Sequence, residues 1–452
     1  MPEVIAQTVA YDLCCGCGVC AGMCPRQNLS MQRDARGQYR PFSREDCPSG
    51  CSVCRRVCPF SLAQTNETDL AREVFGAVPD LTWHGELGSY RQLWIGHVAT
   101  GRFREQGASG GAATWLLHEL LTSGLVDAVV CVRPTGIAGR LYEFCIVRDP
   151  EELATTSRSA YYPVELSAVL REVRERDGRY AITGLPCVCK AIRLAMGVDS
   201  RLSERIAFLL GLVCGHGVTA AFTDYLAVKA GLNPRTLWKW ASRVKDPTVP
   251  AHNSAFRGAD DTHEASIHWQ PVVGPAWNAR VFTPRACLFC DDVFAETADI
   301  ALMDAWLDPY MQDWRGANIV IARNPRLGEL IERAIQESRL DLCPLPVNRV
   351  IASQAGALSE KRKVHGYRLW LEQQAGRVVP TKRITPVKPS LLTRRLLEYQ
   401  AQVIRESHAL ADSIGDDAVA VARVDRLIGT YTRLGQRYAI VDRLRAKLQS
   451  AR

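Results

Sequence analysis

Nine of the seventeen cysteines in this 452-residue chain lie within its first 58 residues, and no other feature limits the fold as strongly. They form two runs. The first is Cys14-x2-Cys17-x2-Cys20-x3-Cys24, followed by Pro25; the second is Cys47-x3-Cys51-x2-Cys54-x3-Cys58, followed by Pro59. Thiolates set two residues apart can curl around one face of an iron–sulfur cube, and Gly16 and Gly18 let the backbone approach the sulfides. Each proline stops its loop, because it continues neither a helix nor a ladder. A four-cysteine zinc site would need paired C-x2-C knuckles instead of an unbroken run of four.

This is the spacing of a two-cluster bacterial ferredoxin, with one residue added in the first gap of the second run. In that arrangement the fourth cysteine of each run ligates the other cluster. Cys14, Cys17, Cys20 and Cys58 are therefore assigned to one [4Fe–4S] cluster, and Cys47, Cys51, Cys54 and Cys24 to the other. Cys15 would break the two-residue gap and is left unligated.

Apolar content is ordinary for a globular protein, and no apolar run is long enough to span a bilayer. Residues 1–13 lack a basic start followed by a long apolar stretch, so the expected location is cytoplasmic. In a reducing compartment, seventeen cysteines point to metal or redox chemistry and not to disulfides. The net charge of +8 is uneven: from residue 360 onward there are 19 Lys+Arg and 9 Asp+Glu, a balance of +10. Such a tail can draw an acidic electron carrier such as a ferredoxin, or simply form a solvated helical face. No zinc-finger or RNA-binding signature supports nucleic acid.

The expected fold is an α/β core with a mixed sheet, preceded by a two-cluster ferredoxin-like module and followed by a helical hairpin. The boundaries are 1–65 for the module, 66–90 for a linker with one short helix, 91–385 for the cofactor-binding core and 386–452 for the extension. Leu93–Ala99, the glycine-rich turn at Gly107-Ala108-Ser109-Gly110-Gly111, the apolar helix that follows, and Val126–Val132 read as β–loop–α–β. Such a turn entering a helix can hold phosphate or can be a plain helix start. Residues 315–345 read as a further strand–helix pair. In the last helix Val424, Leu427, Tyr431, Leu434, Tyr438, Val441 and Leu448 recur at helical intervals.

Further cysteines lie where strands end. Tyr180–Cys187 and Ile206–Cys214 are buried strands running into turns, and Cys287-x2-Cys290 precedes an acidic stretch. Functional residues collect at strand ends in α/β sheets. Cys187, Cys214, Cys287 and Cys290 make the count for a third [4Fe–4S] cluster, though each alone could be a structural core cysteine. Cys189 competes with Cys187 as a ligand. Cys131, Cys145 and Cys343 read as core.

At these residues the sequence resembles the beta-subunit family of hydrogenases and dehydrogenases that use the deazaflavin coenzyme F420. The markers are the tandem cluster runs, Ser109-Gly110-Gly111, Thr183-Gly184-Leu185-Pro186-Cys187, and Gly211-Leu212-Val213-Cys214 with His216-Gly217-Val218. Cys287-x2-Cys290-Asp291 with Ala298-Asp299-Ile300 and Asp304-Ala305-Trp306 completes the set. The resemblance implies a noncovalent FAD beside a [4Fe–4S] cluster held by Cys187, Cys214, Cys287 and Cys290. It gives Gly107, Ser109, Gly110, Gly111 and Thr114 a role near the FAD pyrophosphate, and adds Arg158, Ser159 and Tyr161 to the flavin pocket. Family members often carry Gly-Ser-Lys-Tyr where this chain has Arg158-Ser159-Ala160-Tyr161, so a lysine is missing and Arg158 is the nearest substitute.

The expected activity is an iron–sulfur flavoprotein oxidoreductase. FAD would meet a two-electron organic substrate or deazaflavin, and the clusters would pass single electrons to a ferredoxin or other acidic carrier; a homo-oligomer or a partner redox subunit is the expected assembly. His216, Asp299 and Asp304 are the candidates for proton handling; a cap or a structural clamp is the alternative for each. The rival functions are an electron-transfer subunit without its own substrate site, and a structural or sensing cluster protein. Three [4Fe–4S] clusters require about twelve iron and twelve acid-labile sulfide per chain. Anaerobic iron and sulfide analysis checks this; about eight of each, unaffected by Cys187→Ser, would leave only the two N-terminal clusters.

Overall fold

In the computed structural model, residues 1–48 and 50–450 are described, with side chains described to residue 440. Fifteen strands and their helices follow one another along this described chain. The centre is an eight-stranded mixed sheet in the order β15-β5-β14-β13-β9-β8-β6-β7. Its strands are β5 (Gln92–Val98), β6 (Ala128–Ile137), β7 (Arg140–Val147), β8 (Tyr180–Gly184), β9 (Ile206–Leu212), β13 (Ile300–Asp304), β14 (Asn318–Ala322) and β15 (Leu340–Pro344). Four neighbours, β13, β9, β8 and β6, run parallel, and antiparallel strands flank them on both sides. Strands β8, β13 and β14 are near-continuous apolar runs because both faces are covered. Strand β15 lies at the edge and alternates. Leu342 faces the core while Cys343 is exposed, so the expectation that Cys343 is a core residue fails on the two-residue period of a strand.

Between β9 and β13 the chain inserts a helix (Ala220–Lys229) and an antiparallel sheet of β10 (Lys239–Val244), β11 (Ala255–Ala259) and β12 (Glu264–His268). The N-terminal module contributes the hairpin of β1 (Leu29–Arg33) and β2 (Tyr39–Ser43) and a short helical turn within each cysteine run. It is not tethered at a distance. Leu13, Val19, Val57 and Phe60 share one apolar core with Leu170, Val188, Ala191 and Phe294 of the central body. Backbone contact is direct as well, with Leu166 N–H donating to the Cys17 carbonyl at 3.0 Å.

The segment 66–90 is also packed, which corrects its reading as a linker. It folds as a helix (Glu67–Phe75) and a hairpin of β3 (Thr82–His84) and β4 (Gly88–Tyr90). Glu67 at the helix start meets Lys190 at 3.1 Å with both side chains almost fully buried. A buried pair missing one partner would leave an uncompensated charge, so this contact fixes the helix to the body.

The C-terminal helices, Leu391–Ala409 and Ala418–Ser450, form the expected hairpin. Val424 and Leu427 are buried, and Tyr431 packs against the same core as Phe222 and Phe282. Tyr438 reaches Thr393 on the other helix at 2.8 Å. The side chains of Val441 and Leu448 lie outside the described residues. Much of the tail's positive charge turns inward. Lys382 faces Asp291 at 3.7 Å, and Arg362 and Arg383 approach Glu296 at 3.3 and 2.6 Å. These cations neutralise buried acids and are withdrawn from the surface that an acidic carrier would meet.

Arg323, at the end of β14, is completely buried. Its guanidinium donates to four carbonyls: Ser89 at 2.7 Å, Ala295 and Ala298 at 3.1 Å, and Phe294 at 3.2 Å. It thereby ties the β3–β4 hairpin to the loop that precedes β13. Arg323→Met leaves those carbonyls unpaired and is expected to cost about 3–5 kcal/mol. A lowered denaturation midpoint with unchanged iron in the surviving folded fraction checks this.

Candidate redox site

The parallel order of the sheet explains how distant cysteines meet. Strands β8 and β9 are neighbours and point the same way, so the turns after Gly184 and Leu212 emerge at one edge. Cys187 enters the helix Pro186–Met196 there, and Cys214 follows β9 by two residues. A 3-10 turn at Arg285–Phe289 brings in Cys287, with Cys290 just beyond. Cys187, Cys287 and Cys290 lie near enough to Cys214 to raise its thiol. Cys214 is pushed up first by burial and then by Cys287, Cys187 and Cys290. Cys287 is pushed up to about 12 by burial and by Cys187 and Cys290, although the Gly217 N–H at 3.3 Å eases its charge. Crowded buried thiols keep their protons unless a cation stands among them, so the group suits metal ligation.

Cys14, Cys17, Cys20 and Cys58 line a single cavity beside Gly18 and Pro59. Burial lifts Cys14 to about 12 and Cys58 to about 11. Gly16 has φ of +76° and donates its N–H to the Cys14 sulfur at 3.4 Å; a Cβ there would sit 2.9 Å from the Tyr39 carbonyl. Cys47 and Cys51 both perturb Cys54, which burial raises first. Cys24 is buried in the same core as Cys54. Among the described residues no three His, Cys, Asp or Glu side chains converge to the spacing of one bound ion.

The two leftover cysteines part ways. Cys189 is fully buried and donates to the Gly184 carbonyl at 3.5 Å, at its own helix start. Cys15 contacts both Cys17 and Cys187. Its thiol is raised well above its usual value, first by Cys17 and then by Cys187, while Cys187 is lowered first by Cys15. Cys15 thus joins an N-terminal ligand candidate to a core one.

The glycine-rich turn is largely satisfied by its own chain. Ser109 Oγ donates to the Ala317 carbonyl at 2.7 Å, and Asn318 Oδ1 accepts from the Ala112 N–H at 3.0 Å. A Cβ on Gly110 would lie 2.7 Å from Asn318 Oδ1, and one on Gly111, at φ +87°, 2.5 Å from the Phe103 carbonyl carbon. These glycines are needed for close packing, which weakens the expectation that a phosphate lies on them. Gly107 is buried and Thr114 is half-buried on the helix that follows.

Positive charge gathers beside the turn from residues the sequence reading missed. Arg243, on a bulged stretch of β10 with φ of +59°, forms a two-pronged ion pair with Asp304, one prong at 2.7 Å. It also lies over the Trp306 ring and reaches the Ala108 carbonyl at 3.4 Å. Lys245, just past β10, donates to the carbonyls of Arg104 and of Ser109, the latter at 2.8 Å. Burial, then the charges of Arg104, Arg243 and Arg158, pulls Lys245 down to about 7. Arg158 is exposed with φ of +138°, and Ser159 bridges to Ser242 of β10. The lysine absent from position 160 is therefore matched by cations from an insertion some eighty residues later, which no local motif signals.

Tyr161 stacks on Phe256 at 5.9 Å and meets Trp277 edge-on at 5.1 Å; burial raises its hydroxyl, which faces Arg243. The His216 ring lies 3.7 Å from that of Trp277. Burial, then Arg280, Lys361 and Arg368, holds His216 well below its usual value, which favours the neutral ring. Asp299 takes the structural alternative. Its carboxylate accepts from Arg193 at 2.8 Å and Leu209 N–H at 2.7 Å on one oxygen and from Asn324 at 3.2 Å on the other, three donors that clamp it. Asp304 is committed to Arg243.

Residues 93–171 match the family model described as "Coenzyme F420 hydrogenase/dehydrogenase, beta subunit N-term", and residues 177–347 match its C-terminal counterpart. The chain belongs to this beta-subunit family. The matched segments hold nearly all of the eight-stranded sheet, the Ser109 turn and the four core cysteines, and leave out the N-terminal runs and the tail. Among relatives, a subunit of the F(420)H(2) dehydrogenase of Methanosarcina mazei is 25% identical over 47% of this chain and 56% of its own length. The "Coenzyme F420-dependent sulfite reductase" of Methanocaldococcus jannaschii is 23% identical over 46% of this chain and 31% of its own length. The chain thus spans about half or less of these two curated relatives. A chain of the F420-reducing NiFe hydrogenase complex of Methanosarcina barkeri superposes with a TM-score of 0.49 and 14% identity, covering 63% of this chain and 94% of that one.

Asp299→Asn is expected to weaken charge-assisted hydrogen bonds and to cost about 1.5–3 kcal/mol of stability. Iron and flavin per folded chain should stay at parental levels, as cofactor analysis alongside denaturation will show.

Proposed function

We propose that this family member is an iron–sulfur flavoprotein oxidoreductase, working as one subunit that carries electrons between a two-electron organic substrate and a one-electron carrier or partner subunit. The observation that carries this reading is the convergence of Cys187, Cys214, Cys287 and Cys290 at the strand edge, with Cys15 linking them to Cys17. When bound, FAD would exchange electron pairs with substrate and [4Fe–4S] clusters would carry electrons singly. Cys187, Cys214, Cys287 and Cys290 would hold the core cluster. Cys14, Cys17, Cys20 and Cys58 would hold the nearer N-terminal one, and Cys24, Cys47, Cys51 and Cys54 the farther. Cys15 supplies a protonated, packed contact between the first two groups.

The cationic cluster of Arg104, Arg158, Arg243 and Lys245 is short of negative charge, which favours the phosphates of FAD, of a deazaflavin, or of both. Asp304 keeps Arg243 extended toward the turn, and Trp306 and Tyr161 shield it from water. Two relatives named for coenzyme F420 make that deazaflavin the first substrate to try. The name of one of them as a subunit makes a partner redox subunit the expected electron exit.

The sign of a pH effect follows from Lys245. Its ammonium is disfavoured in the free site and titrates at about 7; a bound phosphate would stabilise the charged form and raise that value. Binding then takes up a proton above pH 7. FAD affinity should be greatest below about pH 7 and weaken as pH rises above it, and Lys245→Met should lower affinity at pH 6.5 and flatten the profile. Equilibrium dialysis with FAD on anaerobically purified chain decides. A folded, iron-replete protein that binds no FAD at any pH defeats the flavoprotein reading.

A further inference from the structure

Lys361 is a buried ammonium with no carboxylate at ion-pair distance among the described residues. It lies on the helical turn Ser359–Val364, beyond the segments that match the family. It is 3% exposed. Its Nζ donates to the Asp292 carbonyl at 2.6 Å and to the Cys290 sulfur at 3.3 Å. Among the described residues no carboxylate comes within ion-pair distance of it, whereas nearby Lys382, Arg362 and Arg383 each have one.

A solitary buried ammonium costs several kcal/mol of lost hydration. The charge must therefore be answered by something else. Lys361 is the largest charge acting on Cys214 and on Cys290, lowering both, and it lowers Cys187 and Cys287 as well. Burial works against its own charge, while Cys290 and Cys214 are the main groups that restore it, ahead of Asp292. The acceptors this lysine reaches are the Cys290 sulfur and the Asp292 carbonyl, with Cys214 the next group its charge acts on.

We propose that Lys361 is the built-in counter-charge of the core four-cysteine group, and that its hydrogen bond to the Cys290 sulfur raises the reduction potential of the cluster held there. The proposal rests on the reading of those cysteines as [4Fe–4S] ligands. Taking up one electron adds one negative charge to the cluster and its thiolates, without making or breaking a bond. A fixed ammonium stabilises the reduced form more than the oxidised form, and hydrogen bonds to sulfur and net charge are established levers on cluster potential. Among the described residues no cationic side chain hydrogen-bonds to a sulfur of the N-terminal groups: Gly16 N–H and the Asn28 amide are neutral donors, and Arg40 acts on Cys14 through its charge alone. The core cluster would therefore sit higher in potential than it would with the thiolates alone.

The test uses the full chain purified without oxygen, with dithionite as the reductant in a potentiometric titration followed by electron paramagnetic resonance. Lys361→Met removes the charge, and Lys361→Arg keeps it. The expected result is parental iron, one of three midpoint potentials lowered in Lys361→Met with the other two unmoved, and a shift back toward the parent in Lys361→Arg. A loss of one third of the iron in Lys361→Met, spared in Lys361→Arg, would equally support the counter-charge. Unchanged midpoints with parental iron in Lys361→Met would overturn the proposal, as would equal iron loss in both variants, which marks a packing role. Parental chain with only about eight iron would instead overturn the cluster reading on which it stands.

Discussion

Buried sulfur in need of positive charge is the constraint around which this protein is organised. Thiols packed in low dielectric resist ionisation, and neighbouring thiols make it harder still. Cys14, Cys58 and Cys287 are all driven upward in this way. Iron would relieve the strain at each group, but the chain also contributes. Backbone N–H groups of Gly16 and Gly217 point at sulfur, and Lys361 brings a full charge. The N-terminal module and the sheet are one packed body because they share an apolar core, and the Leu166 N–H bond to the Cys17 carbonyl ties them directly.

Around the core group lies a shell of paired charges buried at unusual density. Asp291 faces Lys382; Glu296 gathers Arg362 and Arg383; Glu67 meets Lys190; Arg323 spans the carbonyls of the 294–298 loop. Buried pairs add little net stability, yet losing either member is costly. Their effect is to specify one arrangement: the 66–90 segment, the loop before β13 and the tail are held in register against the cysteine-bearing turn. The basic tail is legible in this light as interior electrostatics as much as surface charge.

The other charged region has a different character. Arg104, Arg158, Arg243 and Lys245 crowd together with Asp304 and Asp313 as their close acids, so the balance there remains positive. Strain accompanies it, with Arg158 and Arg243 both at positive φ. Backbone in sparsely populated regions persists where its surroundings enforce it, and such residues cluster at binding sites. An anion would relieve the electrostatic part of that cost.

The sequence alone determined the chemistry expected of the first 58 residues, since cluster ligation depends on local spacing that a chain carries in its own order. It also indicated the strand ends at Cys187 and Cys214, because apolar runs and turn residues mark them, and it identified the helical hairpin from its period. It misjudged Cys343, whose face depends on strand register, and it treated 66–90 as a linker because the partner of Glu67 is more than a hundred residues away. It singled out Asp299 but left open whether it is a clamp or a proton carrier, and Arg243, Lys245 and Lys361 were beyond its reach for the same reason. Their roles come from what folding places opposite them, and a carboxylate clamped by three donors has the same letter as one free to move a proton. Only the tertiary structure decided which charges face water, which face each other and which face sulfur.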